Sequence, residues 1–266
     1  LEFIFVGPNA PNYNLPKNFR FIQSAVKPTQ CIEIAARNAT GDFIMQISDD
    51  CLFKTKHPID KLYKTFLRNK SEKIIVSSRY LMDGVMIPLD SCRLINGDPK
   101  SPLMPLALLM KRSLYNRLGG IDKNFIAILW DLDIAMRLYS IGGKVVMSRV
   151  LLNEDRGAAS LGGSLCVDYY KIEMEYLHSL WVKNGKALLK RTSRFEPFNN
   201  HNLLKFSQGP RGRWRGNGVF IYEKIVDSSR IFNRLTRGIT QPNNYYKYFM
   251  RILNFLVLKV KLKGKK

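Results

Sequence analysis

A chain of 266 residues, 45% of them apolar, is long enough to bury a real core and suits one large domain, or one domain with an appendage. Its formal charge of +22 favours anionic partners: nucleic acid, acidic lipid headgroups or phosphorylated substrates. The composition argues against a membrane-spanning helix, because the best apolar run, Ile252 to Leu258, has seven residues where about 20 are needed.

Four cysteines, Cys31, Cys51, Cys92 and Cys166, lie far apart with no C-x-x-C pair. That spacing is poor for zinc and for a disulfide framework, and reads as reduced thiols in a cytosolic compartment. The first residue is Leu1 rather than Met, and LEFIFVG reads as a strand already in progress, so the chain is expected to be a piece of a longer one.

In chain order, LEFIFVG and FRFIQS read as strands, and TQCIEIAARNAT as a helix with Thr29 as its cap. DFIMQISD is a strand. HPIDKLYKTFLRN places Ile59, Leu62, Tyr63, Phe66 and Leu67 on one helical face, and KIIVSSRYLM is a strand again. Residues 83–105, rich in Pro, Gly and Asp, read as a long loop. LALLMKRS is then a strand, LYNRL a short helix and GGID a turn. DLDIAMRLYSIGG is an amphipathic helix with Ile134, Leu138 and Ile141 inward, closed by Gly142, and KVVMSRVLL is a strand. DYYKIEMEYLHSLWVKNG is a helix ending at Gly185. The alternation argues for an α/β sheet covered by helices. Beyond about residue 186 Lys and Arg become dense, which places a domain boundary near 185.

Two acidic clusters carry the chemistry. Asp49 and Asp50 follow the strand FIMQI, and ligands of open α/β sheets bind beyond the carboxyl ends of strands. Adjacent carboxylates repel unless a cation or donors lie between them, and a hard cation such as Mg²⁺ or Mn²⁺ takes one or two carboxylates plus water and phosphate oxygens. The pair suits a metal–diphosphate site, or equally an Asx-type turn with both carboxylates in water. Asp131 and Asp133 stand at a helix start. Asp133 fits the ordinary preference of a first turn for acids, whereas Asp131, beside Trp130, could act as a general base if it faces a pocket.

The order of these pieces, ARN-A-T-GDFI running into SDD, then GGIDKNF, then WDLDIAMRL, resembles the inverting glycosyltransferases of family 2. The resemblance covers roughly residues 1–150. It implies an α/β fold of GT-A-like, Rossmann-like form, with a mostly parallel sheet flanked by helices and a helical, basic C-terminal region. Residues 1–185 would form the transferase domain and 186–266 a basic extension.

The implied activity is transfer of a sugar from a nucleotide-diphosphate sugar to an acceptor hydroxyl with inversion, using Mn²⁺ or Mg²⁺. Asp50 would hold the metal, and Asp49, Arg37 and Ser48 would lie on the nucleotide-sugar side. Gly119, Gly120 and Trp130 would line the acceptor site, and Asp131 would be the base. The implied acceptor is a glycan or a lipid-linked sugar.

The chain departs from the family pattern in three places. Ser48 stands where the family often has an acid, and Trp130 where it usually has Glu. The family's opening strand precedes anything here. The family also often places a metal-binding His after the strand that follows this helix. Here that region reads NEDRGAAS, so Glu154 or Asp155 would be the oxygen ligand in its stead, or a solvated acidic loop.

QGPRGRW is a breaker-rich loop without the spacing of a processive synthase's Q-x-x-R-W. The tail YYKYFMRILNFLVLKVKLKGKK interleaves apolar residues with bases and no acid, which suits the surface of an anionic membrane or a packed terminal element with a solvated end. Two rival readings follow. One is a basic nucleic-acid-binding protein, motivated by the charge and RGRWRGNG. The other is a transferase-like scaffold without turnover.

Overall fold

The computed structural model describes residues 1–48, 51–154, 164–200, 203, 208–209, 212–214 and 220–222. The chain divides into two compact units, Leu1–Tyr222 and Glu223–Lys266, and only the first contains described residues.

The first strands, β1 (Phe3–Gly7) and β2 (Phe19–Gln23), pair in parallel as a two-stranded sheet of their own. Helix α1 (Pro28–Asn38) follows, with Pro28 at its first position, where a missing N–H costs nothing. Thr29 is not its cap. The N-cap is Lys27, which makes no capping bond, and the Thr29 hydroxyl donates instead to the Phe125 carbonyl at 2.7 Å. Strands β3 (Phe43–Met45) and β4 (Cys51–Phe53) precede α2 (Pro58–Arg68). Next come β5 (Ile74–Met82), β6 (Val85–Met86), β7 (Leu108–Lys111), α3 (Arg112–Leu118), α4 (Trp130–Ser140) and β8 (Lys144–Glu154).

The main sheet has the order β3-β7-β5-β8-β4, with β6 on β5. It is mixed, not mostly parallel as expected. Only β5 and β8 pair in parallel, while β3–β7, β5–β7, β5–β6 and β4–β8 are antiparallel. The reason lies in the connections. A strand reached by a short turn, as β6 is from β5 through Asp83–Gly84, must run back along its neighbour, whereas a parallel pair needs a long crossover, as β5 and β8 have through β7, α3 and α4.

Two helical layers sandwich this sheet. On one face, Leu62 and Phe66 of α2 pack on Ile74, Val76, Leu109 and Val150. On the other, α3 and α4 bury Leu114, Ile134 and Leu138 against Ile75, Leu108, Met110 and Val145. Successive residues of β5 and β7 thus serve opposite faces, as the two-residue period of a strand requires. The first half of β5 is covered on both sides, which is why it opens with three successive apolar residues, Ile74, Ile75 and Val76. Tyr63 and Leu67, expected on the buried face of α2, are 43% and 55% exposed, because a 100° step places them beyond the narrow stripe that Leu62 and Phe66 fill.

Helix α5 (Ser164–Trp181) stops four residues before Gly185. Asn184 and Gly185, both at positive φ, turn a small hairpin between β9 (Val182–Lys183) and β10 (Lys186–Ala187). The glycine predicted to end the helix therefore serves the turn. QGPRGRW, read as a loop, includes strands β11 (Gln208–Gly209) and β12 (Gly212–Trp214), and β12 pairs in turn with β13 (Phe220–Tyr222), all antiparallel. The C-terminal region, 186–266, was expected to be helical; its described residues hold β10 to β13 and no helix, and residues 223–266 lie outside the described residues. Among the described residues no helix is long and apolar enough to cross a membrane.

Candidate active site

Strands β3, β5 and β8 run in one direction, so their carboxyl ends share an edge of the sheet. Ser48 follows β3 at this edge, and Cys51 opens β4 there, with its N–H donating to the Ser48 carbonyl at 3.2 Å. Asp49, Asp50 and Asp155 lie outside the described residues. Glu154, the last residue of β8, is register-paired with both Cys51 and Met82, so it stands beside the chain that leaves Asp50. Its Oε2 accepts the Tyr80 hydroxyl at 2.8 Å, and Cys51 Sγ is 3.4 Å from that hydroxyl. Burial and these neighbours push the Tyr80 phenol far above its ordinary range, so it acts as a neutral donor.

Asp131 opens α4, which packs on the sheet and joins β8 through the 141–143 turn, so the start of the helix points toward the side on which β8 ends. Asp131 is recessed: the residue keeps part of its surface in solvent, while protein surrounds its carboxyl group. Loss of water around the charged form pushes the carboxyl up to about 7, against the lowering effect of the N–H of Leu132, which donates to Oδ1 at 2.9 Å. A carboxylate that titrates near neutrality can take up a proton from a hydroxyl at working pH.

The neighbouring acid has a different role. Asp133 is fully buried, accepts from Arg137 Nε at 2.9 Å and from Trp181 Nε1 at 2.8 Å, and lies 3.8 Å from Arg191 Nε. Arg137 in turn donates to the carbonyls of Leu118 and Gly120. The D-x-x-x-R spacing of α4 therefore ties the helix to the glycine turn.

That turn explains the two glycines. Gly119 and Gly120 have φ of 88° and 76°, where only glycine avoids a steric penalty. A Cβ on Gly119 would stand 2.6 Å from the Phe195 ring, and one on Gly120 2.6 Å from the Glu33 carboxylate. Trp130, expected to line the acceptor site, is 4% exposed and packs in the core. Arg37, expected on the nucleotide side, donates to Glu33 at 2.8 Å, to Asn200 Oδ1 at 3.0 Å and to the Phe198 carbonyl at 2.6 Å, fastening α1 to the 198–200 segment.

Sequence reasoning missed a set of buried polar residues that hold segment 118–128. Glu33 accepts from the Tyr115 hydroxyl and from the N–H of Ile121. Lys27, fully buried, donates to the Lys123 carbonyl, and desolvation drops its amine to about 7. Asp122 accepts from Arg191 and from the N–H of Asn124. Glu173 accepts from three consecutive backbone N–H groups, those of Ile126, Ala127 and Ile128. The one sequence signal was the i, i+4 spacing of Glu33–Arg37 and Asp133–Arg137. Leu129, next in the chain, has φ of 59°, a conformation that disfavours side chains and that persists only where its surroundings enforce it.

Among the described residues, no group of three or more His, Cys, Asp and Glu could hold a metal ion. Among the described side chains near the carboxyl edge, Ser48, Tyr80 and Glu154 offer oxygens, the type that Mg²⁺ and Mn²⁺ take, and Cys51 a sulfur. One cavity, of about 610 Å³, lies at the opposite edge, between α2 and the start of β3, lined by Phe43, Tyr63, Leu67, Lys70, Lys111 and Arg112 among others. It is remote from Asp131.

No family model matches the chain, and no curated protein matches it in sequence. Among solved structures, the chain is similar to GalNAc-T7 with UDP, GalNAc and Mn²⁺, at 12% identity and a TM-score of 0.45. The match covers 58% of this chain and 37% of that one, so the chain spans little more than a third of the protein it matches.

Proposed function

We propose that the chain is a divalent-cation-dependent glycosyltransferase of GT-A-like form, which moves a sugar from a nucleotide-diphosphate sugar to an acceptor hydroxyl with inversion. The observation that carries this reading is the state of Asp131: a carboxyl group surrounded by protein at the start of α4, pushed up to about 7 by its loss of water.

In this reading Asp131 takes the proton from the acceptor hydroxyl as its oxygen attacks the anomeric carbon from the face opposite the departing diphosphate. Its raised pKa lets it hold that proton at neutral pH. Asp50, with Glu154 as a further oxygen donor, would hold the cation, which when bound supplies charge stabilisation to the leaving diphosphate. Tyr80 keeps the Glu154 carboxylate oriented by its hydrogen bond. Asp49 and Ser48 lie on the donor side, and the 119–120 turn borders the acceptor.

The deciding experiment is a Mn²⁺-dependent transfer and hydrolysis screen over UDP-, GDP- and dTDP-sugars. Asp50→Ala and Asp131→Asn, both folded, should lose turnover. Unchanged turnover in either variant removes that residue from the mechanism. Full folding with no turnover on any donor, together with tight, salt-sensitive binding of single-stranded nucleic acid, would favour the rival role.

A further inference from the structure

Glu173 is the buried acid that this mechanism leaves unused. It sits on α5, 0% exposed, and its carboxylate faces not another helix but the chain that leads into α4. Oε1 accepts the N–H groups of Ile126 and Ala127, the latter at 3.0 Å, and Oε2 accepts that of Ile128 at 2.8 Å. Three successive N–H groups converging on one carboxylate form an anion-binding concavity, here filled by the protein itself.

We propose that Glu173 is a positioning residue for Asp131: it fixes residues 126–128 as a rigid turn and so sets the point from which Leu129 bends the chain and Asp131 projects. This inference rests on the reading of Asp131 as the proton acceptor.

Four observations support it. The last gripped residue, Ile128, is three positions before Asp131, so chain connectivity leaves little slack between them. Between the two lies Leu129 at φ 59°, a conformation that relaxes unless both flanks are held. The core grips the other flank through Trp130 and Asp133. Finally, burying a carboxylate is unfavourable, and burial lifts Glu173 to about 7 despite its three donors. Lys27 is the charged neighbour that opposes this rise. An apolar side chain at 173 would avoid burying a charge, but it would leave three N–H groups without an acceptor.

Two measurements test the proposal. In the wild-type chain, ¹⁵N shifts of Ile126, Ala127 and Ile128 should follow one titration together with the Glu173 carboxyl, and all three amides should exchange slowly with solvent. Fast, independent exchange of the three overturns the grip, with no variant needed.

In Glu173→Gln the side-chain NH₂ replaces one acceptor, so at least one N–H is left facing a donor. The variant should keep Mn²⁺–UDP affinity and donor KM within about twofold, while kcat falls on the order of 100-fold, the loss expected when a reacting group is displaced by about 1 Å. The ¹³C titration midpoint of the Asp131 carboxyl should move down from about 7 toward the ordinary aspartate range as water reaches it. A merely structural role would not move that midpoint. An unmoved midpoint with unchanged kcat overturns the proposal. Should Asp131→Asn retain full turnover, the assignment of the base falls instead, and the wild-type amide titration still decides whether Glu173 grips the turn.

Discussion

Glu33, Asp122, Asp133 and Glu173 are at most 3% exposed, and each accepts from two or more donors, at least one of them within residues 118–137. At the other end of the sheet, Glu72 keeps 76% of its side chain in water while it pairs with Lys111 beside the 610 Å³ cavity. Both regions hold ion pairs, several in the first and Lys111–Glu72 in the second, but the physics differs. A buried carboxylate without its partners is strongly unfavourable, so it specifies one geometry. An exposed pair is screened by solvent and specifies little. Asp131 lies beside the first kind of region while retaining some exposure, as a group that must both hold its place and exchange a proton requires.

The largest effect is expected at Asp131. Replacing it with Asn should lower turnover by about 10²–10⁴-fold, the usual contribution of a positioned base. The same variant should be more stable than wild type at pH 8. The folded-state pKa lies above that of the unfolded chain, so the favourable contribution of the neutral carboxyl is full below about pH 4 and is lost as pH rises through about 7. A rise from 3.8 to about 7 corresponds to at most about 4 kcal/mol. Urea melts at pH 5 and pH 8 measure the difference, and equal stability of both proteins at both pH values would contradict a recessed carboxylate.

Asp133→Ala should be destabilising by about 3–5 kcal/mol, because it leaves Arg137 and Arg191 buried without their shared carboxylate. A loss under about 1 kcal/mol by chemical denaturation would show that the two guanidinium groups find water instead.

Gly120→Ala follows, at about 2 kcal/mol or more: a positive φ unfavourable to a side chain and a Cβ set against the Glu33 carboxylate act together. Its thermal midpoint, read beside that of Gly142→Ala, separates the two causes, because Gly142 has φ of 76° with nothing within 4 Å of its Cβ position. The smallest effect is expected at the far edge, where Glu72→Ala should change stability by no more than about 1 kcal/mol. A larger loss would erase the contrast between the two regions.

Legibility from sequence followed the range of the interactions involved. The hydrophobic periods of 2 and 3.6 residues are local, so β1, β2, α1, α2, β5, α4 and β8 were all readable. The four-residue overrun of α5 arose because Asn184–Gly185 is as good a hairpin turn as a helix stop. Thr29 was misread because a threonine near a helix start has two uses, and its hydroxyl was taken by Phe125, almost a hundred residues away. Asp131 and Asp133 could be told apart in the sequence by the neighbouring Trp130 and the resemblance, but Asp133 read as an ordinary first-turn acid. Its burial against Trp181, the last residue of α5, and Arg191 was not legible, because those partners lie some fifty residues away.

The sequence by itself determined the α/β alternation, the two faces of the central strands and the places where carboxylates gather, because these depend on residues close along the chain. Only the tertiary structure decided that the sheet is mixed, that Trp130 faces the core, and that Glu33 and Glu173 grip the segment leading to Asp131. Those outcomes depend on which distant N–H and carbonyl groups lose their water on folding and must be satisfied by whatever side chain the fold brings to them.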